Sequence, residues 1–288
     1  MTPAPPRGAG QYGPGLLTLL LLPAGLLYIV LFGYPIGALL ARSVQDQHGF
    51  TVNHFTRLFS QPLYLTILEH TLRVSLIVTA ICVALGYPLA FWLTRLRGVA
   101  FSIAIACLFL PLWTSVLARI YAWNFLLQKA GPINRLLVSL HLIDAPLTLL
   151  YTDAAVITVM THVLLPFMVL PVYAVINSIP RDLGRAAQSL GAGIASEFRH
   201  VLLPLSLPGL LAGSVMVFVI AMGYFIIPAL VGGPRSLMIS TLINEQIMTV
   251  LNWSFGAAIS TLLLFAVLVV LALFARTLAV ARRAEGGA

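Results

Sequence analysis

A polar stretch near residues 177–204 interrupts an otherwise apolar sequence, and its residue types suit contact with another protein rather than catalysis. Asp182 falls where the first turn of a helix would favour an acid. Ala186 and Ala187 present small side chains that let a partner approach closely, and Gly191 follows where a helix ends in left-handed geometry. The spacing predicts two short helices, the second ending at Pro204, which form either a docking element or an interfacial hairpin between spans.

Arg119 is the one charged residue inside a long apolar run. A buried guanidinium costs free energy in an apolar span, so two interpretations are open. Arg119 either has a functional role, lining a passage or meeting a partner, or it snorkels to the outer headgroups. The neighbouring Tyr121, Trp123 and Asn124 make the same stretch polar and aromatic, which favours the first interpretation. Tyr224, in a later apolar run, either lines the same passage or packs with its hydroxyl satisfied.

Glu245 is a carboxylate beyond the fifth apolar stretch. It either meets a cation or a partner protein or is plainly solvated, and solvation is the more common state of an exposed acid. Together, Arg119, Tyr121, Trp123, Asn124, Tyr224 and Glu245 form the candidate pathway residues.

The sequence lacks the residue patterns of an enzyme or a self-powered pump. Its one lysine, Lys129, is preceded by Gln128, so no phosphate-binding G-x-x-x-x-G-K-[ST] loop exists. No H-E-x-x-H or G-x-S-x-G pattern occurs, and the histidines show no paired metal spacing. We therefore predict no catalytic, metal-binding or cofactor-binding residues in this chain.

The elements that position these residues are membrane helices. The 288 residues are 60% hydrophobic and only 8% charged, whereas soluble chains are about 25% charged. A helix needs about 20 apolar residues to cross the hydrocarbon. We predict an all-α integral membrane protein with six transmembrane helices, near residues 16–40, 71–93, 100–126, 153–176, 205–230 and 256–280.

The distribution of arginines orients these spans. Six spans place both termini on one side, and the arginine excess is larger on the side that holds the 95–98 loop and the residues after Arg276. This bias predicts cytoplasmic N- and C-termini. Residues 1–15, rich in proline and glycine, are predicted to be a disordered cytoplasmic tail, and residues 16–288 the transmembrane domain. The net charge of +8 then reflects topology and not nucleic-acid binding.

The polar loop also carries a recognisable motif. The run from Gly184 to Ala192, followed by Leu203-Pro204, resembles the "EAA" loop of ABC-importer permease subunits. The resemblance extends over residues 67–276 and implies a type I ABC importer transmembrane domain. It also implies that the 177–204 loop couples to a separate ATPase, with the motif residues Gly184, Arg185, Ala186, Ala187, Gly191, Leu203 and Pro204.

Arg185 departs from the family pattern, which has a glutamate at this position. The charge is inverted, so a basic partner in the ATPase cannot be carried over from the family. Either the cognate ATPase differs here, or the small residues Ala186, Ala187 and Gly191 alone set the fit.

Four further segments resemble permeases of the spermidine/putrescine type, and most closely the first of the two that such systems encode. These segments are 86–90, 110–123, 165–168 and 227–234. The resemblance implies a polyamine solute. Two alternatives remain open: an ABC permease for another small solute such as a phosphonate, and a secondary carrier that works without nucleotides.

The family resemblance implies a set of partners in the bacterial inner membrane. They are a second permease subunit that makes a heterodimer, two ATPase subunits, an extracytoplasmic solute-binding protein and membrane lipid. ATP and Mg²⁺ would be bound by the ATPase subunits, so this chain is expected to be no enzyme itself.

Overall fold

The computed structural model describes residues 14–46, 49–234 and 236–285. The predicted tail therefore lies outside the described part of the chain, except for residues 14 and 15, which belong to the first helix. The first half of the described chain runs as α1 (Pro14–Tyr28), a π-helical turn (Ile29–Gly33), α2 (Tyr34–Ser43), antiparallel strands β1 (Gln45–Asp46) and β2 (Gly49–Phe50), α3 (Asn53–Ser60), α4 (Pro62–Leu93), α5 (Gly98–Trp113), α6 (Val116–Leu127) and α7 (Pro132–Ser139).

The second half of the described chain carries the polar loop and the last spans. It runs as α8 (Asp153–Ser178), α9 (Arg181–Ser189), α10 (Ile194–Glu197), a second π-helical turn (Phe198–Leu202), α11 (Leu203–Gly223), α12 (Ile226–Val231), α13 (Ile239–Met248) and α14 (Trp253–Glu285). The predicted all-α fold class is confirmed, with one two-residue hairpin as the only sheet in the described residues.

Five helical stretches are long and apolar enough to cross a membrane: Leu21–Ser43, Pro62–Leu93, Asp153–Ser178, Ile194–Gly223 and Trp253–Arg276. The sixth predicted span, 100–126, is not one continuous helix. It is broken between α5 and α6, and the stretches Gly98–Trp113 and Val116–Ser139 meet at an angle of 99°. The six predicted spans are matched when this bent pair is counted as one.

The second short helix of the polar loop does not end at Pro204 as predicted. It continues without a break from Ile194 into the fifth span, which ends at Gly223. Pro204 lacks an amide hydrogen, and the chain accommodates this with the π-helical turn, where the amide of Leu203 donates to the carbonyl of Phe198 five residues back. The loop therefore consists of one separate helix, α9, which packs on the extension of a span.

The core is formed by α4, α8 and α11, which pack side by side. Gly209 of α11 lies so close to α8 that a β-carbon there would sit 2.8 Å from the Pro171 carbonyl oxygen and 2.9 Å from Cβ of Val175. Gly213 lies one turn further along the same interface. The fully buried side chains of this core include Val78, Cys82, Met160, Leu164, Met168, Val172, Val217 and Met222.

A second apolar cluster lies at the other end of the bundle from the polar loop. It joins α3, α4, α13 and α14, with the buried residues Leu58, Tyr64, Ile67, Ile239, Leu242, Phe255, Ala258 and Ile259. The segment 42–70 therefore caps this end of the bundle, since Leu58 and Tyr64 are buried in this cluster.

Gly209→Ala tests the close approach of α8 and α11. The added methyl meets the α8 backbone, so the helices must separate, and overpacking of this kind costs about 1–3 kcal/mol. We expect the melting temperature of the detergent-solubilised protein to fall by several degrees. Gly223→Ala, in the same helix with nothing within 4 Å of the new carbon, is the matched control. Equal melting temperatures for the two variants would contradict the packing described.

Candidate coupling and translocation sites

The polar loop folds as a hairpin whose turn is closed by Gly191. This glycine has φ +87°, the left-handed conformation that favours glycine. Its amide donates to the Gln188 carbonyl at 2.9 Å, and the amide of Ala192 donates to the Ala187 carbonyl at 3.0 Å. This pair of hydrogen bonds is a Schellman motif and satisfies the last carbonyls of α9. The predicted reversal at Gly191 is confirmed.

Glu197 holds the two arms of the hairpin together. Its Oε2 accepts a hydrogen bond from the Gln188 side-chain amide at 2.7 Å. Its Oε1 lies in close contact with the position that a β-carbon on Gly184 would take, so an alanine there would require the Glu197 carboxylate to shift. Sequence reasoning included Gly184 in the motif but gave Glu197 no role, because the two residues belong to different helices.

The tip of this hairpin exposes large apolar side chains. Leu190 is 89% exposed, Ile194 82% and Leu183 44%. The side chain of Arg185 is 78% exposed and contacts only the equally exposed Asp182, at 3.3 Å. An exposed pair of this kind contributes little to stability. The tip is therefore an apolar surface beside the exposed Arg185–Asp182 pair, and no other part of the described chain covers it.

Leu203 and Pro204 do not lie at the hairpin tip. Leu203 is partly buried against the helical core, and Pro204 is in the first turn of α11. Of the predicted coupling residues, the structure brings Gly184, Arg185, Ala186, Ala187 and Gly191 together on α9 and its turn. Leu203 instead anchors the base of the hairpin to the core.

Tyr87 connects the hairpin base to α4. Its hydroxyl lies 2.8 Å from the Ser206 hydroxyl, and its ring meets the Phe198 ring edge-on at 5.8 Å. The preceding residue, Gly86, packs so closely on Met168 of α8 that a β-carbon would lie 2.7 Å from its side chain. The 86–90 segment therefore joins all three core helices where the hairpin begins.

The break between α5 and α6 lies at Thr114 and Ser115. Both residues are extended, with ψ of 151° and 135°. Pro111, one turn before the break, cannot donate a hydrogen bond within α5, and the Thr114 hydroxyl bonds to its carbonyl at 3.0 Å. Non-helical backbone at membrane depth is tolerated where it is buried in protein or lines a cavity. The break therefore marks a candidate translocation site.

Arg119 lies one turn into α6, just beyond this break. Its Nε and Nη1 are buried and have no hydrogen-bond partner in the described chain, and the same is true of Asn124 Oδ1. Trp123, one turn later, donates from Nε1 to His162 Nδ1 of α8 at 3.3 Å.

The candidate pathway residues are thus only partly brought together. Trp123 contacts His162 of α8, which sequence reasoning did not select because a lone histidine in an apolar run carries no pattern. Tyr121 is 66% exposed, and Glu245 is exposed on α13.

A polar cluster around Asp153 was also missed from the sequence. His70 Nε2 lies 3.0 Å from Asp153 Oδ2, and the Ser236 hydroxyl donates to Oδ1 at 2.5 Å. Arg73 stands 3.8 Å from the same carboxylate. Each hydrogen bond joins residues 83 positions apart, so no local pattern revealed them. The cluster fastens the segment before α13 to the starts of α4 and α8.

Comparison with known proteins identifies the family. Residues 33–285 match the model of the binding-protein-dependent transport system inner membrane component. The chain belongs to this family. It is a multi-pass permease subunit of an ABC importer, as its sequence motifs predicted, and not a catalytic enzyme.

Two curated relatives and one solved structure support this assignment. The chain is 39% identical over 211 residues to the spermidine/putrescine transport system permease protein PotB of Escherichia coli (strain K12), covering 73% of this chain and 76% of that protein. It is 33% identical over 255 residues to the inner membrane ABC transporter permease protein YdcU of the same organism, covering 81% and 80%.

The solved structure is of a bacterial alginate ABC transporter in complex with an alginate pentasaccharide-bound periplasmic protein. One of its chains matches with a TM-score of 0.71 at 19% identity, over 90% of this permease and 92% of that chain. At this identity the match shows the fold alone, and the fold is the type I ABC importer transmembrane domain.

Gly184→Ala tests the hairpin as a built unit. The new methyl makes the Glu197 carboxylate shift, which disturbs its hydrogen bond with Gln188 while the membrane core stays intact. We expect limited proteolysis of the purified permease to cut the 177–204 loop about threefold faster, because cleavage follows the population of the open form. Gly193→Ala, in the same loop with nothing within 4 Å, is the control and should be cut at the wild-type rate. Equal cleavage of both variants would contradict the Gly184–Glu197 contact.

Proposed function

We propose that this permease forms half of the translocation pathway of an ATP-driven polyamine importer, with a separate ATPase docked on its cytoplasmic hairpin. The observation that carries the proposal is the hairpin tip, where Leu190 and Ile194 are 89% and 82% exposed on a turn fixed by Gly191. Apolar side chains displayed on a firm surface are typical of the centre of a protein–protein interface.

The hairpin is suited to pass motion between an ATPase and the membrane. Its first arm leaves α8 and its second arm is continuous with α11, and these two helices are tightly packed. The Tyr87–Ser206 hydrogen bond adds α4 to the same body. A displacement of the hairpin therefore moves the three core helices together, which is the mechanical requirement of alternating access.

ATP and Mg²⁺ belong to the ATPase subunits in this proposal. The described residues of the permease contain no cluster of three or more histidine, cysteine or acidic side chains able to hold a metal ion. The energy of the cycle then comes from the docked ATPase. We place the N- and C-termini and the hairpin in the cytoplasm on the basis of the arginine distribution.

The proposal of a polyamine solute rests on the relationship to PotB. That protein is named for spermidine and putrescine transport and is 39% identical to this chain over 211 residues. An extracytoplasmic binding protein would deliver the solute to the face opposite the hairpin. A phosphonate or another small solute is the alternative outcome of any substrate test.

Leu190→Glu tests the docking surface. Because Leu190 is 89% exposed in the single chain, a glutamate there leaves the permease folded but places a charge inside the proposed interface. We expect the amount of ATPase that co-purifies with the permease to fall at least about tenfold, equivalent to about 1.4 kcal/mol.

The matched control is Leu142→Glu, which introduces the same change at a leucine that is 66% exposed in the segment between α7 and α8. It should retain the ATPase fully. Undiminished co-purification with Leu190→Glu, at equal membrane abundance, would rule out the hairpin as the docking site.

A further inference from the structure

Arg119 has no counter-charge in its own chain. Two of its guanidinium nitrogens are buried without a hydrogen-bond partner, and none of the ion pairs within the described residues includes it. An arginine remains protonated in proteins, so it cannot avoid this cost by losing its charge. A buried charge is normally paired, and an uncompensated one costs several kcal/mol.

The groups around Arg119 supply polarity but no negative charge. Trp123 and His162 are hydrogen-bonded to each other, and Tyr224 uses its backbone carbonyl to accept from Ser240. Asn124, the nearest amide in sequence, has a buried carbonyl oxygen without a partner. Part of the Arg119 side chain remains accessible in the single chain, so a group from outside the chain can reach it.

The acidic residues of this chain lie elsewhere. All eight are in loops, in short helices between the spans, in the last residues of the chain or in the first turns of a span, and none is in the middle of an apolar helix. They are Asp46, Glu69, Asp144, Asp153, Asp182, Glu197, Glu245 and Glu285. A second copy of this chain would therefore bring a second Arg119 and no intramembrane acid.

We propose that Arg119 is neutralised by a carboxylate in a membrane span of a second, non-identical permease subunit. The inference rests on the proposed function, in which this chain is half of a pathway. Polyamines carry ammonium groups and no anion, so the solute cannot supply the negative charge. We therefore place the counter-charge on the partner permease.

The first arm of the test measures pairing of the two permeases without ATP or solute. This chain and its cognate second permease carry different tags, and the amount of this chain captured through the partner's tag is measured after solubilisation. We expect Arg119→Gln to lower capture at least about tenfold, because it leaves the partner's carboxylate unpaired. Arg119→Lys retains the charge and should retain most of the capture. When two copies of the wild-type chain carry different tags, neither copy should be captured through the other's tag.

The second arm identifies the carboxylate. Each intramembrane Asp or Glu of the second permease is changed to Asn or Gln in the Arg119→Gln background. One of these changes should restore capture, as expected when both charges of a pair are removed. If Arg119→Gln does not accumulate in the membrane, two other measurements test the proposal. The first is self-capture of the wild-type chain. The second is capture of the Arg119→Lys variant by partners that carry the same Asp→Asn or Glu→Gln changes.

Three outcomes would overturn the proposal: wild-type capture with Arg119→Gln, efficient self-capture of the wild-type chain, or no partner acid whose removal restores pairing. Normal pairing of Arg119→Gln with lost uptake would assign the arginine to the solute instead. Failure of the ATPase-docking proposal is distinguishable, because Leu190→Glu acts on the hairpin and leaves permease pairing unchanged.

Discussion

The close contact between α8 and α11 is the constraint on which the rest of the structure depends. Gly209 and Gly213 let the two backbones approach to a distance that no side chain would allow. Both arms of the polar hairpin leave from these helices, so their packing sets the position of the apolar tip. In the same core, Gly86 of α4 packs against Met168 of α8. The proposed docking surface and the membrane core are thus parts of one packed arrangement.

The distribution of charge complements this mechanical unit. Two carboxylates of the permease make hydrogen bonds that hold neighbouring segments together. Glu197 joins the two arms of the hairpin, and Asp153 joins α8 to Ser236, before α13, and to His70 of α4. None of the acidic residues lies in the middle of an apolar helix, whereas Arg119 lies within the third predicted span. The proposed pairing of Arg119 with a carboxylate of a partner permease would supply the negative charge that the spans of this chain lack.

Local patterns predicted much of this structure, and contacts between distant segments account for what they missed. Apolar length predicted the spans, and Gly191 predicted the turn of the hairpin, because both are properties of a few neighbouring residues. The Glu197–Gly184 contact and the Asp153 cluster join separate helices and leave no local trace. The break at Thr114 and Ser115 was missed because these residues lie in an apolar run long enough for one continuous span.

The most direct test of the account is solute uptake by the purified complex in proteoliposomes that contain ATP and Mg²⁺ on the hairpin side. The complex comprises this permease, its partner permease, the ATPase and the loaded binding protein. The account predicts that labelled putrescine or spermidine accumulates only with hydrolysable ATP, and that phosphonates do not compete. Equal accumulation without nucleotide would contradict the account by showing a secondary carrier, and ATP-driven uptake of a phosphonate alone would contradict the polyamine assignment.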